Sequence, residues 1–281
     1  MSIHPIPDFV LNDGSTIPQI GLGIFGPDDA SAADTVATAL KLGYRSFDTA
    51  EQYKNETGVG EGIRRSGVPR DEIFVTTKLG NESHGYDAAL RGFEGSLERL
   101  GLDYVDLFLI HWPMTKIDKY VESWRALERL QEEGLAKSIG VANFQTHHLE
   151  RLMAESSVVP AVNQIELHPG LHQAELKAFN TSHSIATMAW SPLAGNPFAN
   201  HKLTDSPVLV RIGAKYGKSA AQVIIRWHLD QGNVVIPKTV SPDRMIENTH
   251  VFDFQLEESD LAEIAALETG IRNPYDPDLM D

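Results

Sequence analysis

Four side chains that could take part in acid–base chemistry follow successive apolar runs of the chain. Asp48, Lys78 and His111 each stand at the end of such a run, in chain order, and Tyr53 lies five residues after Asp48. Carboxylate, ammonium, imidazole and phenol groups can together hold, donate and accept a proton. We therefore take these four residues as candidates for one catalytic site.

Each of the four residues also has an ordinary structural explanation. Asp48 could cap a turn, Lys78 could be a solvated charge at a strand end, His111 could be a satisfied semi-buried ring, and Tyr53 could lie on the surface. Taken singly, these explanations are favoured. Their joint occurrence on consecutive strand ends favours a shared site, because barrel enzymes build their active sites at the C-terminal ends of the strands.

The stretch GLGIFG at 21–26 has the spacing G-x-G-x-x-G, which can mark a loop that binds the pyrophosphate of a dinucleotide. In that motif the third glycine lies in the first turn of a helix, whereas here Gly26 is followed by Pro27 and two aspartates. The sequence favours another interpretation, in which Gly21 and Gly23 allow backbone and ligand to pack closely at the first strand of a barrel.

Eight short apolar runs alternate with helical patterns, and several runs are apolar throughout, as expected of strands buried on both faces. Eight such units in 281 residues predict a single-domain (β/α)8 TIM barrel over residues 1–281, because that fold typically takes about 250 residues. The predicted strands lie at 20–25, 44–49, 73–78, 105–112, 136–143, 161–167, 185–190 and 233–237.

The helical patterns have recognisable ends. The apolar stripe at 33–40 predicts a helix with Ser31 as its N-cap, and the stripe at 90–100 predicts a helix that Gly101 ends. Residues 8–18 contain an Asn-Asp-Gly turn between two apolar runs, which predicts a β-hairpin. We expect this N-terminal hairpin to plug the bottom of the barrel.

Composition argues against several classes of protein. The chain has no cysteine, so it can form no disulfide, thiolate nucleophile or zinc–thiolate site. Its net charge of −15 argues against nucleic acid or an anionic membrane as partner, and no apolar run approaches the ~20 residues of a membrane span. The stretch MSIHPIPDF lacks the basic start and apolar core of a signal peptide. We therefore expect a cytoplasmic monomer that acts on a small molecule.

The whole chain resembles the aldo-keto reductases, and most closely the short prokaryotic members similar to 2,5-diketo-gluconate reductases. The matching stretches are GLG near the start, GYRSFDTAEQYKNE, GLDYVDLFLIHWP, KSIGVANF, PAVNQIELHP and IPKTVSPDRMIEN. The resemblance implies NADPH-dependent reduction of aldehydes and ketones on a (β/α)8 barrel without a Rossmann fold.

The resemblance also implies that Asp48, Tyr53, Lys78 and His111 form the catalytic tetrad of the family. Tyr53 would donate the proton to the forming alkoxide. The reference pKa of tyrosine is about 10, and the ammonium of Lys78 would lower it. Asp48 would hold Lys78 through a buried ion pair, and His111 would donate a hydrogen bond to the substrate oxygen.

A nicotinamide site at the ends of later strands follows from the same resemblance. Asn143 and Gln164 match the family's ligands of the carboxamide, and Trp190 matches a ring that stacks on the nicotinamide, with ordinary core packing as the alternative. Ala142 stands where the family usually has serine, which puts one hydrogen bond in doubt. Three residues of the next loop would close over the pyrophosphate: Ser191, Leu193 and Gly195.

The segment after the last strand predicts a phosphate clamp. Ser241 and Pro242 suit the N-cap and N1 positions of a helix whose free N–H groups favour an anion. Lys238 and Arg244 add two cations, and we take them as ligands of the 2′-phosphate of NADPH rather than as a solvated basic turn. Four further residues complete the implied cofactor site, the last two of them at the adenine: Thr239, Val240, Glu247 and Asn248.

Substrate choice is predicted only in outline. Phe25, Trp112 and Tyr53 should line the mouth of the pocket. Gly80 stands where related enzymes often carry a bulky aromatic residue, and the tail RNPYDPDLMD is short. Both features predict an open pocket for small aldehydes, ketones and dicarbonyls.

Two other functions stay open on the sequence. Lys78 could form a Schiff base in an aldolase-type lyase, or the chain could be a non-catalytic NADPH-binding redox sensor, because a fold does not fix a function. A metal site is not expected. His147 and His148 are adjacent at the start of a predicted surface helix, where neighbouring side chains should point apart.

Overall fold

The computed structural model of the chain describes residues 3–194, 202–272 and 274–280. These residues contain a two-stranded antiparallel hairpin and an eight-stranded parallel sheet. The hairpin is formed by β1 (Asp8–Val10) and β2 (Thr16–Pro18). The strands of the parallel sheet are β3 (Leu22–Gly23), β4 (Ser46–Asp48), β5 (Phe74–Leu79), β6 (Val105–Ile110), β7 (Ala136–Ala142), β8 (Val162–Glu166), β9 (Ala186–Trp190) and β10 (Val234–Val235).

The parallel sheet closes on itself. Its strands pair in chain order from β3 to β10, and parallel bridges from Ile20 to Val235 and from Gly23 to Lys238 join the last strand to the first. The prediction of a (β/α)8 barrel is therefore confirmed. Each of the eight predicted runs overlaps an observed strand, although β3 and β10 are shorter than predicted.

Helices surround the closed sheet. The α-helices of the described residues are α1 (Asp29–Leu42), α2 (Glu56–Ser66), α3 (Tyr86–Leu100), α4 (Tyr120–Glu132), α5 (Thr146–Glu155), α6 (Ala174–Ser182), α7 (Pro207–Tyr216), α8 (Ala220–Asp230), α9 (Pro242–Thr249) and α10 (Glu258–Ala265). No helix of the described residues is long and apolar enough to cross a bilayer.

Side chains of each strand alternate between the barrel interior and the helices. In β5, Phe74 belongs to the interior cluster at the bottom, whereas Val75 and Leu79 pack in the outer core against the helices. Thr77 also points outward, because its hydroxyl donates to Glu56 on α2 at 2.5 Å. Lys78 therefore projects into the barrel, and the next inward position is residue 80.

The predictions for the helix ends were partly right. Gly101 ends α3 in the left-handed conformation with φ 64°, as predicted. The prediction of Ser31 as an N-cap is wrong, because α1 begins at Asp29 and is capped by Asp28. The carboxylate of Asp28 accepts the backbone N–H of Ser31 at 2.9 Å, so the serine lies inside the first turn.

The glycines of the first strand serve close packing within the barrel. A Cβ atom on Gly23 would lie 3.0 Å from the carbonyl oxygen of Ile236, and one on Gly21 would lie 2.8 Å from Oγ of Ser46. Gly26 has φ 99° and belongs to a loop that precedes α1. The interpretation of this stretch as barrel strand, rather than Rossmann loop, is confirmed.

The hairpin covers the N-terminal end of the barrel, as predicted. Leu11 and Ile17 are buried in the interior cluster with the first residues of several strands, among them Phe74 and Val234. Asn12 Nδ2 donates to the carbonyl of Pro160 at 3.0 Å. The hairpin therefore excludes water from the end of the barrel opposite the strand ends that carry the candidate site.

We expect Ile17→Ala to destabilise the protein by about 2–5 kcal/mol, because Ile17 is fully buried and the truncation leaves a cavity in the plug. The shift of the urea unfolding midpoint measures this cost. Val10→Ala in the same hairpin is the control, because Val10 is 67% exposed and its truncation should change little. Equal effects of the two substitutions would contradict a plug held by apolar burial.

Candidate active site

A buried ion pair lies at the C-terminal ends of β4 and β5. Lys78 Nζ lies 2.5 Å from Asp48 Oδ1, and the two side chains are 0% and 2% exposed. Nζ of Lys78 also donates to the carbonyl of Thr49 at 2.9 Å, and the second carboxylate oxygen of Asp48 accepts from Nε2 of Gln164 at 2.7 Å. Burial is the largest single influence and would lower the pKa of Lys78, but Asp48 and Tyr53 together outweigh it, so the pKa is raised. Lys78 is thus held as an ammonium.

Tyr53 lies over this ion pair. Its ring centroid is 5.1 Å from Nζ of Lys78, and it follows Asp48 through a 3-10 turn at Glu51–Tyr53. Burial raises the pKa of Tyr53, while the charge of Lys78 opposes that rise. Lys78 therefore acts in the predicted direction, but the net shift in this structure is upward. A tyrosine with a raised pKa keeps its proton at neutral pH, as a proton donor must.

Neutral His111 completes the group. The ring centroids of His111 and Tyr53 lie 5.6 Å apart, and the two ring planes make an angle of 73°. His111 is 8% exposed. Burial and the charge of Lys78 hold the pKa of His111 well below its usual value. Nδ1 of His111 is buried and has no hydrogen-bond partner among the described residues. The structure thus brings all four sequence-predicted tetrad residues together.

Asn55 was missed by sequence reasoning, although it fixes the loops around Tyr53. Its side chain accepts from the hydroxyl of Thr49 at 2.8 Å and donates to the carbonyls of Ile24 at 2.6 Å and Pro27 at 3.1 Å. These bonds tie the loop after β3 to the turn that carries Tyr53. The sequence carries no signal for this role, because the full burial of Asn55 is apparent only in the folded chain.

The residues predicted to bind the nicotinamide lie together at the ends of β7, β8 and β9. Nε1 of Trp190 donates to Oδ1 of Asn143 at 2.8 Å, and Nδ2 of Asn143 donates to the carbonyl of His111 at 2.9 Å. Gln164 is engaged with Asp48, as described above. Ala142 is fully buried at the end of β7 and offers no side-chain hydrogen bond. This group is adjacent to the tetrad.

The loop predicted to cover the pyrophosphate follows Trp190, and the structure describes it as far as residue 194. Ser191 has φ 47° and is half-buried, and Leu193 packs against the outer core. Gly195 lies outside the described residues. His228 on α8, which sequence reasoning missed, is fully buried with Nε2 3.3 Å from the carbonyl of Pro192. His228 thereby joins this loop to the helix layer.

The predicted phosphate clamp surrounds the start of α9. Ser241 caps the helix and Pro242 occupies its first turn, as predicted. Lys238 and Arg244 are both exposed, and neither forms an ion pair with a described residue. The other four predicted members differ in exposure: Thr239 is 7%, Val240 56% and Asn248 4% exposed, and Glu247 is half-buried. The arrangement leaves two cations available for an anion at the helix N-terminus.

Aromatic rings border the tetrad. The ring of Phe25 lies 5.0 Å from that of Tyr53 and is 61% exposed, whereas Trp112, next to His111, is 7% exposed. Tyr275 of the C-terminal tail packs edge-on against Trp112 at 6.3 Å. Tyr275 therefore lies at the mouth of the barrel.

The prediction that Gly80 leaves an open space is wrong. A Cβ atom on Gly80 would lie 2.6 Å from Oε2 of Glu51, so the carboxylate occupies the volume that a larger residue would need. Oε2 of Glu51 accepts the N–H of Gly80 at 2.7 Å. A contact between two loops that lie 29 residues apart is invisible to local sequence patterns.

Comparison with known proteins agrees with this geometry. Residues 19–269 match the sequence profile described as the aldo/keto reductase family. The chain belongs to this family. Membership confirms the predicted superfamily and the predicted reaction class, an oxidoreductase acting on carbonyl groups.

Curated relatives span nearly the whole chain. The methylglyoxal reductase DkgA of Escherichia coli is 49% identical over 95% of this chain and 96% of that protein. A morphine 6-dehydrogenase of Pseudomonas putida is 49% identical over 95% of this chain and 93% of its own length.

Solved structures share the fold. An aldo/keto reductase of Brucella melitensis is 50% identical with a TM-score of 0.89, covering 94% of this chain and 100% of that one. The protein Gox0644, solved as a mutant in complex with NADPH, is 44% identical with a TM-score of 0.92, covering 99% of this chain and 100% of that one.

In this reductase the prediction that His147 and His148 point apart is wrong. Their ring centroids are 3.9 Å apart, and Nε2 of each ring lies 3.2 Å from Oδ1 of Asp278. Nδ1 of His148 accepts the backbone N–H of Gln145 at 3.0 Å in a capping box of α5, which turns the ring toward the tail. Since Nδ1 accepts, the proton of the neutral ring lies on Nε2 and faces Asp278. The absence of a metal site stays a prediction.

We expect His228 to make the reductase less stable in mild acid. Burial lowers the pKa of His228 from 6.5 to about 3. Between these values the unfolded chain binds a proton that the folded chain does not, so the free energy of unfolding decreases by about 1.4 kcal/mol per pH unit below the unfolded pKa. His228→Gln keeps a donor for Pro192 and removes this dependence.

Urea unfolding at about pH 7, 6 and 5 measures the difference between wild type and His228→Gln. The wild type should lose stability more steeply as the pH decreases. The control is His183→Gln, because His183 is exposed. Parallel pH profiles of wild type and His228→Gln would contradict a His228 that is kept neutral by burial.

Proposed function

We propose that this chain reduces small aldehydes and dicarbonyls, such as methylglyoxal, to alcohols with NADPH, and that Tyr53 donates the proton. The observation that carries the proposal is the fully buried Lys78–Asp48 ion pair beneath Tyr53, next to a neutral His111. The relative named methylglyoxal reductase supports the substrate class.

The contacts within the site indicate the role of each tetrad residue in the proposed reaction. NADPH, when bound, supplies the hydride. Tyr53 holds the proton that the developing alkoxide requires, and the Lys78 ammonium stabilises the phenolate that is left. His111 is neutral, so it has one N–H to donate to the substrate oxygen and adds no charge to the pocket. Asp48 acts through Lys78, whose ammonium it keeps in place.

The residues present fit NADPH as the cofactor, and structural neighbours were solved with NADPH or NADP bound. The chain carries 39 acidic and 24 basic side chains, yet Lys238 and Arg244 stand at the N-terminus of α9 without an acidic partner among the described residues. Unpaired cations at a helix N-terminus suit a phosphate. We propose that they bind the 2′-phosphate, that Thr239 and Val240 adjoin it, and that Glu247 and Asn248 reach the adenine. Asn143, Gln164 and Trp190 would hold the nicotinamide, and Ser191 and Leu193 would cover the pyrophosphate.

The two alternative functions are less favoured. A Schiff base requires a neutral amine that a substrate can reach, whereas Lys78 is 0% exposed, and its ammonium is engaged by Asp48 and by the carbonyl of Thr49. A non-catalytic redox sensor would not need a complete tetrad. Oxidation of NADPH, followed by its absorbance with methylglyoxal present, tests all three functions. Turnover supports the reductase, a borohydride-trapped adduct on Lys78 supports the lyase, and NADPH binding without either supports the sensor.

From the sequence we also propose that the reductase acts as a single-domain monomer in the cytoplasm. Gel filtration tests the oligomeric state, and a dimer would contradict it.

We expect Tyr53→Phe to lower kcat by about 10²–10⁴-fold, because it removes only the hydroxyl that donates the proton. NADPH affinity, measured by quenching of tryptophan fluorescence, should stay within about twofold of the wild type, since the ring itself is kept. Tyr275→Phe is the control, because it removes the hydroxyl of a ring that is 45% exposed and should keep its turnover. Near-wild-type turnover of Tyr53→Phe would rule out the assigned role.

We expect Arg244→Ala to raise the KM for NADPH about ten- to a hundredfold, because a charge-assisted bond to phosphate contributes about 1.5–3 kcal/mol. The KM for NADH should change little, because NADH lacks the phosphate. Arg91→Ala on α3, which removes another exposed arginine, should affect neither cofactor. Equal weakening of both cofactors by Arg244→Ala would show a structural role of Arg244 and remove the main support for the clamp.

A further inference from the structure

One carboxylate beside the tetrad has no part in the roles assigned above. Glu51 opens the 3-10 turn that ends at Tyr53, and its side chain reaches across to the loop after β5. There Oε2 accepts the N–H of Gly80 at 2.7 Å, and the hydroxyl of Ser83 lies 3.2 Å from the same oxygen. The carboxylate is therefore held in one place rather than left free in solvent.

That place is on the inner side of the barrel mouth. Val75, Thr77 and Leu79 of β5 face the helices, and Lys78 faces the interior, so the alternation directs position 80 inward. Gly80 has no side chain to occupy this position. The Glu51 carboxylate takes it instead, at 2.6 Å from where the Cβ atom would stand. The carboxylate thus occupies the volume that a side chain at position 80 would need, two residues after Lys78.

The charge of Glu51 is not compensated by a neighbouring cation. Its two polar partners, the Gly80 N–H and the Ser83 hydroxyl, are neutral, and no described residue forms an ion pair with it. Three carboxylates on neighbouring elements, by contrast, each have a cationic partner: Asp48 with Lys78, Glu56 with Arg99, and Asp106 with Arg70. Glu51 therefore places a carboxylate without an ion-pair partner among the described residues two positions before Tyr53 in the chain.

We propose that Glu51 is a specificity-determining residue, whose carboxylate takes the place of a side chain at position 80 and disfavours carbonyl substrates that carry a negative charge. The inference rests on the proposed function, because it concerns the substrate of the same site. It narrows the substrate class to neutral aldehydes and dicarbonyls and excludes keto acids and sugar acids as preferred substrates.

A pair of isosteric aldehydes tests the inference. 4-Nitrobenzaldehyde and 4-carboxybenzaldehyde have para substituents of the same shape, but only the second is charged. The measured quantity is the ratio of kcat/KM for the carboxy compound to kcat/KM for the nitro compound. For charges about 8 Å apart and an effective dielectric constant between about 20 and 80, Glu51→Gln should raise this ratio roughly twofold to thirtyfold.

Glu82→Gln is the matched control. Glu82 is exposed and lies in the turn at Asn81–Ser83, so the substitution removes the same charge from the loop that follows Gly80, at a position that faces solvent. The control should leave the ratio within about twofold of the wild type, because an exposed charge is screened by solvent. A rise of equal size in both variants would assign the effect to the net charge of the protein and overturn the proposal.

A second measurement needs no variant. In the wild type, raising the ionic strength from about 0.01 M to 0.5 M should raise the ratio toward that of Glu51→Gln, because salt screens the repulsion. A ratio that is indifferent both to salt and to Glu51→Gln would overturn the inference while leaving the reductase function intact. If the wild type oxidised no NADPH with either aldehyde, the proposed function would fail first and this inference with it.

Discussion

The arrangement of the site depends on a pair of opposite charges placed where no water reaches. Lys78 and Asp48 are 0% and 2% exposed, and removing one partner of such a pair typically costs about 3–5 kcal/mol because the other charge is left uncompensated. The remaining hydrogen-bonding capacity is also used, toward the carbonyl of Thr49 and the amide of Gln164. The pair therefore joins β4, β5 and β8 at one level of the barrel. Tyr53 and His111 take their electrostatic environment from it.

The charged side chains of the protein are arranged to suit the cofactor phosphate and the neutral substrate that we propose. The protein has a net charge of −15, yet Lys238 and Arg244 stand unpaired among the described residues at the start of α9. Beside Gly80, Glu51 holds a carboxylate without an ion-pair partner among the described residues. A negative cofactor phosphate and a neutral substrate would meet suitable surroundings at these two places. Between them His111 is kept neutral by burial and by the charge of Lys78.

Features that depend on local periodicity could be predicted from the sequence. Continuous apolar runs predicted all eight barrel strands, and Gly101 correctly ended α3 because a left-handed residue is needed there. The tetrad could be predicted because its members follow successive strands, and parallel strands bring their ends to one edge. The stretch GLGIFG could be assigned to the barrel because Pro27 and the loop after it stand where a Rossmann motif would begin its helix.

Features that depend on contacts between distant segments could not be predicted. Glu51 fills the space beside Gly80 only because two loops meet above the barrel, and Asn55 binds carbonyls in a loop about 30 residues away. His147 and His148 converge on Asp278 because a capping bond to Gln145 turns one ring. The N-cap of α1 was assigned to Ser31 instead of Asp28 because both residue types suit that position, so the sequence did not distinguish between them.

The most direct test of the account is whether the charge of Lys78 sets the acidity of Tyr53. In the direction of alcohol oxidation Tyr53 must act as a base, so the rate at saturating NADP⁺ should rise with pH as the phenol ionises. Burial raises the pKa of Tyr53 and Lys78 opposes the rise. Lys78→Met should therefore move the acidic limb of the pH profile of kcat to higher pH, together with a loss of rate. A profile that loses rate but keeps its midpoint would contradict the central claim, because Lys78 would then serve only to hold the structure together.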